Sequence, residues 1–153
     1  MATIFSRRDI GYTIISRFEL VYRSFLSNKL SSKYPDFHDG IQPAILSRVN
    51  EKSEILFWPE PSEFFENSEF PDLLEISLYK DNFEDFFLKE LTKDELGKSM
   101  TSLYGLRCKI AHVKGFFTSF DLDKLVELSK GLAKYVDTNG SFLHLIDEIE
   151  KNP

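Results

Sequence analysis

With 153 residues, 42% of them hydrophobic and 15 of them phenylalanine, the chain can bury a sizeable core without staples, which excludes a disordered polypeptide. A formal net charge of -6 excludes a broad basic footprint for a polyanion, so any nucleic-acid contact has to be local. The single cysteine, Cys108, excludes an intrachain disulfide, and with no paired Cys or His spacing for a metal, no cofactor is expected.

The opening stretch, MATIFSRRDIGYTII, lacks the unbroken apolar run of a secretory signal, and nowhere do about 18 apolar residues follow one another as a membrane span requires. A soluble, cytoplasmic protein is the expectation. From about Asp9 to Leu30 apolar residues recur at Ile14, Ile15, Phe18, Val21, Tyr22, Phe25 and Leu26, the three-and-four spacing of one helical face. Glu19 and Arg23 stand four apart on that helix, in the order that favours a surface ion pair worth a few tenths of a kcal/mol.

KYPDFHDG interrupts the pattern with Pro35 and Gly40, and reads as a turn in which His38 is exposed. A second helix is predicted from about Ile41 through Val49, with Pro43 tolerated in its first turn. Pro59, Pro61 and Pro71 argue for an irregular aromatic loop over about 55–71. Pro71 then opens a helix through DLLEISL, and NFEDFFLKEL continues as a short helix after a break at Lys80 to Asn82.

Thr92 and Glu95 have the spacing of a capping box at the start of the next helix, which carries Leu96, Met100, Leu103, Tyr104 and Leu106 toward His112. Gly115 suits an ending near that histidine. Ser119 or Asp121 can cap a further helix holding Leu122, Leu125, Val126, Leu128, Leu132 and Val136. DTNG stops it, and Ser141 restarts a last helix over about 141–150, with Phe142, Leu145, Ile146 and Ile149 inward and His144 partly buried. The expected fold is an all-α, single-domain antiparallel bundle with a core over about 9–137.

Where the apolar pattern gives out, LYGLRCKIAHVKG places Arg107 and His112 five positions apart. On an ideal helix that spacing turns the direction by about 140° beyond one turn, so the two side chains do not share a face. They converge only if the helix ends before the histidine, or if two chains bring their copies together. The chemistry suits a phosphodiester: a permanently charged guanidinium grips phosphate oxygens, and an imidazole moves protons near neutral pH. The commoner reading of such a pair is an arginine near a helix end and a histidine complementing the macrodipole. Lys109 and Lys114 flank the motif and supply either a local positive patch for substrate or two solvated lysines. The acidic segments SEFFENSEFPD and DNFEDFF would repel a phosphate backbone if they bordered the same cleft, and their phenylalanines either stack bases or, the commoner role, fill the core. No serine sits in a nucleophile elbow, and no glycine-rich phosphate loop occurs.

LRCKIAH resembles the signature of the HEPN superfamily, small helical bundles in which an arginine, four to six residues and a histidine close a late helix. SRFELVYRSFL is similar to that family's first helix, and FDLDKLVELSKGLAKYV stands where it places the helix after the motif, so the likeness spans roughly residues 10 to 136. The resemblance implies a homodimer that cleaves RNA without a metal ion by 2′-hydroxyl attack. Arg107 would bind the scissile phosphate and His112 would handle protons, in a stress or defence role that can involve a protein regulator or antitoxin. One position departs from the pattern: Cys108 stands where active members commonly carry a polar residue, and a thiol hydrogen-bonds weakly. A non-catalytic HEPN-like module for dimerisation or for binding nucleotide, RNA or protein is therefore the competing expectation, with Cys108 as a small apolar residue beneath the motif.

Overall fold

The computed structural model describes residues 6–87, 89–112 and 116–151, and all regular structure among them is helical. The helices are α1 (Arg7–Lys33), α2 (Pro43–Ser53), α3 (Pro61–Glu66), α4 (Phe70–Leu78), α5 (Asn82–Phe86), α6 (Lys93–Ala111), α7 (Ser119–Val136) and α8 (Ser141–Lys151), with a 3-10 turn at Phe37–Gly40. The chain divides into two compact units, one made of Met1–Val21 with Lys98–Pro153 and the other of Tyr22–Gly97.

In the unit of residues 22–97 the second half of α1 buries Tyr22, Leu26 and Leu30 on a face set by the helical repeat. Phe25 meets the Phe87 ring at 5.2 Å, a tilted contact of the kind aromatic quadrupoles favour. Two of the buried polar groups here show how they are partnered. The Tyr22 hydroxyl lies 2.7 Å from Ser77 Oγ, and burial pushes its ionisation well above the ordinary phenol range. Asn82 Nδ2 donates to the carbonyls of Gly40 and Ile76 at 3.0 and 2.8 Å, while its Oδ1 accepts from the Tyr34 hydroxyl. One side chain thus ties the break before α5 to the 3-10 turn.

The stretch expected to be an irregular loop over 55–71 contains a helix instead. Pro61 sits in the first turn of α3, where its missing N–H would have had no intrahelical partner, and Phe64 and Phe65 become core residues, 0% and 1% exposed. The segment before it is irregular, with Trp58 Nε1 donating to Asn50 Oδ1 at 2.7 Å, as is the short link at 67–69. His38 is half-buried rather than exposed. Its Nδ1 lies 2.6 Å from Asp36 Oδ1, and its ring is covered by Phe37 and by Phe57, whose centroids lie 4.1 and 4.5 Å away.

In the unit of residues 1–21 and 98–153, Ile14, Ile15 and Phe18 of α1 bury against a core completed by α6, α7 and α8. Phe18 and Phe142 form an edge-to-face pair at 5.7 Å. The N-cap of α7 is Thr118, not Ser119 or Asp121: Thr118 Oγ1 accepts from the Asp121 N–H at 3.1 Å, and Asp121 Oδ2 accepts from the Thr118 N–H at 3.0 Å. Asp121 is the reciprocal member of that box. After α7 the chain turns through Gly140 at φ 75°, and Asp137 Oδ2 accepts from the N–H groups of Phe142 and Leu143, satisfying orphan donors at the start of α8. His144 is exposed on α8 instead of partly buried, with Nε2 3.9 Å from Glu148. The capping box of α6 is present as expected, with Glu95 N–H to Thr92 Oγ1 at 3.1 Å and Thr92 N–H to Glu95 Oε1 at 3.2 Å. Among the described residues no helix is long and apolar enough to cross a membrane.

Candidate functional site at the end of helix α6

Helix α6 buries Met100, Leu103, Leu106 and Ile110, and its other side carries the motif residues. Arg107 is half-buried, and its Nε donates to Glu19 Oε1 on α1; the Glu19 side chain is only 14% exposed. That contact uses one donor of the guanidinium fork. The Nη groups of Arg107 make no further hydrogen bond among the described residues. Cys108 is a free, half-buried thiol. Lys109 turns to α7, where its Nζ lies 3.2 Å from Asp121 Oδ1. Hydrogen bonds from the Thr118 backbone, with the Lys109 ammonium beside it, hold the Asp121 carboxyl below its usual range. Lys114 and Gly115 lie outside the described residues.

His112 is exposed immediately beyond the last residue of α6, and its N–H still donates to the Cys108 carbonyl at 3.0 Å. The helical ladder therefore runs up to the histidine. Helical geometry carried as far as that bond sets Arg107 and His112 about 140° apart, and puts Cys108 and His112, four apart, on one face.

The end of α6 is held by α1. Arg8 Nη1 donates to the carbonyls of Lys109, Ile110 and His112 at 2.5, 2.9 and 2.7 Å, satisfying acceptors that a helix C-terminus leaves unpaired. Its neighbour Arg7 donates from Nη1 to the Phe117 carbonyl at 3.3 Å. One turn further along α1, Gly11 makes room for the Phe117 ring: a Cβ at that position would stand 2.6 Å from Phe117 Cε1. Phe117 is thereby buried, while Phe116 beside it is 89% exposed.

Tyr104, expected on the apolar side, is 39% exposed, and with Thr101, Gly105, Ala111 and His112 it forms an uncovered face of α6. A Cβ on Gly105 would meet nothing within 4 Å. On the same unit an open groove of about 1250 Å³ runs between α1, α7 and α8, floored by Ile10, Ile14, Val126 and Leu143. Among the described residues no group of three or more His, Cys, Asp or Glu side chains is placed to hold a metal ion.

Glu19, Arg7 and Arg8 are the residues that sequence reasoning did not assign to this site. A signal for the arginines was present, because two cations in the first turn of a helix oppose its macrodipole and call for a tertiary partner. Glu19 carried no such signal beyond its spacing from Arg23. Family models, curated proteins and solved structures offer no match to the chain. The site is accordingly read from its own chemistry.

Proposed function

We propose that the chain is a HEPN-like, metal-independent endoribonuclease that acts as a homodimer in the cytoplasm. The observation that carries this reading is the latched Arg107 near the end of α6 and the exposed His112 just beyond it, whose N–H still donates to the Cys108 carbonyl. On helical geometry the two groups of a single copy point apart and do not close on one phosphate. Two copies meeting along the uncovered face of α6 bring a histidine of each toward an arginine of the other.

In that composite site a ribose 2′-hydroxyl attacks the adjacent phosphorus and the bond to the 5′-oxygen breaks. One imidazole takes the proton from the 2′-oxygen, and the imidazole of the other copy, protonated, gives one to the departing 5′-oxygen. The products are a 2′,3′-cyclic phosphate and a 5′-hydroxyl. Arg107, steadied through Nε by Glu19, presents its Nη groups to the non-bridging oxygens, where charge builds in the transition state. Incubation with mixed RNAs in excess chelator is expected to yield cyclic-phosphate ends. Activity retained in full by His112→Ala would overturn the assignment.

A second reading has its own support. Glu19 already balances the charge of Arg107 and the chain carries a net charge of -6, both of which suit a non-catalytic HEPN-like module for dimerisation or for holding RNA, nucleotide or a protein regulator. That reading predicts no turnover of any RNA, with Arg107→Ala loosening assembly instead.

A further inference from the structure

Ten of the phenylalanines are buried, Phe64, Phe65, Phe70, Phe86 and Phe87 of the acidic segments among them, and Phe57, 62% exposed, stacks on His38, but Phe116 and Phe120 are 89% and 73% exposed. Leaving two whole aromatic rings in water forgoes burial worth about 1.5–3 kcal/mol each. Their position gives the reason. Arg8 holds the His112 carbonyl and Arg7 holds the Phe117 carbonyl, and the Cα atoms of adjacent residues lie about 3.8 Å apart. The two arginines therefore bring the histidine end of α6 and the Phe116–Phe117 segment to one place on the surface. Phe117 is seated over Gly11, so the backbone there is anchored and the neighbouring Phe116 faces solvent. Phe120 follows in the first turn of α7.

We infer that Phe116 and Phe120 form a stacking platform for unpaired bases beside His112, so that the substrate class is single-stranded RNA. This rests on the ribonuclease reading of the same site. Stacking on an uncharged ring needs no counterion release, which is the kind of grip an acidic protein can offer a polyanion. Charge support is local. Arg7 donates to a carbonyl, which occupies a donor without cancelling its charge; of the acids on that turn of α7, Asp121 is taken up by the cap and Lys109, while Asp123 lines the groove with Arg7. A duplex keeps its bases inside its own stack and presents no ring to the platform.

The test is fluorescence anisotropy with a short labelled single-stranded RNA of mixed sequence and with the same strand in a duplex, using the full chain carrying His112→Ala so that bound RNA stays intact. Single strand is expected to bind more tightly than duplex, with log affinity falling against log salt at a slope of about -1. Phe116→Ala and Phe120→Ala are each expected to weaken single-strand binding about tenfold. Phe→Leu at either position should weaken it nearly as much, since it keeps apolar area but loses the π face, while Phe→Tyr should restore it. Full affinity in the leucine variants, or equal affinity for duplex, overturns the platform. So does dissociation of a wild-type dimer on Phe→Ala, which would make these rings a contact between copies. Cleavage by the otherwise wild-type chain is scored separately: cleavage untouched by the phenylalanine variants sinks the platform alone, whereas base stacking without any cleavage sinks the ribonuclease and leaves an RNA-binding site.

Discussion

Gly11 shows how one absent side chain shapes the site. In a helix interior, alanine is ordinarily favoured over glycine by about 0.5–1 kcal/mol. Here the sign reverses, because a Cβ on Gly11 would stand 2.6 Å from the Phe117 ring and 3.1 Å from Ile110 Cδ1. Gly11→Ala is expected to destabilise the fold by about 1–3 kcal/mol, the usual range for overpacking, which a lowered midpoint in chemical denaturation would show. Glu19 is the second such residue. Glu19→Gln keeps the shape and removes the charge, leaving Arg107 with a neutral acceptor. Stability should fall by only about 1 kcal/mol given the half-exposed guanidinium, while RNA cleavage should fall about tenfold or more as Arg107 loses its fixed orientation. A parallel assay of melting and cleavage separates the two effects.

At the scale of elements, α7 depends on its reciprocal cap. Thr118→Ala removes the acceptor for the Asp121 N–H and is expected to cost about 1 kcal/mol, measurable by urea unfolding. The same box predicts a pH dependence. The Asp121 carboxyl is held below its ordinary value in the folded chain, first by hydrogen bonding from the Thr118 backbone, so the unfolded state binds the proton more readily. Its contribution is present in full above the unfolded carboxylate pKa of about 3.9 and is lost as pH falls through the lower folded value. Asp121→Asn should flatten the stability profile in that acid window and leave its shape near neutrality unchanged. Gly131 of the same helix offers the contrasting case: no atom stands near a Cβ placed there, so Gly131→Ala should stabilise α7 by about 0.5–1 kcal/mol.

For the whole molecule, the proposed activity turns on association of two copies. The uncovered face of α6 holds Thr101, Tyr104, Gly105 and Ala111, small or flat residues that let a second helix approach closely. Gly105→Glu adds a charged chain to that face with room to spare in the single chain. It is expected to leave helicity and melting nearly unchanged while shifting sedimentation from dimer to monomer, and to abolish cleavage in step. A monomeric wild type, or a dimer indifferent to this change, would remove the geometric basis for a composite site.

Helix positions were legible in the order of residues because apolar spacing and cap chemistry are local: α1, the capping box at Thr92 and Glu95 and the stop at Gly140 follow from neighbours within one or two turns. The Arg107 and His112 spacing belonged to that same local record, as did their divergence on a helix. Whether Pro61 opened a helix or stayed in a loop turned on burial of Phe64 and Phe65, which no window of sequence contains. The same holds for His38, sheltered by Phe37 and Phe57, and for His144, left in solvent. Glu19 on Arg107, and the two arginines of α1 on the carbonyls around His112, join residues about ninety to a hundred and ten positions apart. Contacts of that range exist only once packing has brought the helices together, because a lone charge or carbonyl carries no mark of the distant partner that satisfies it.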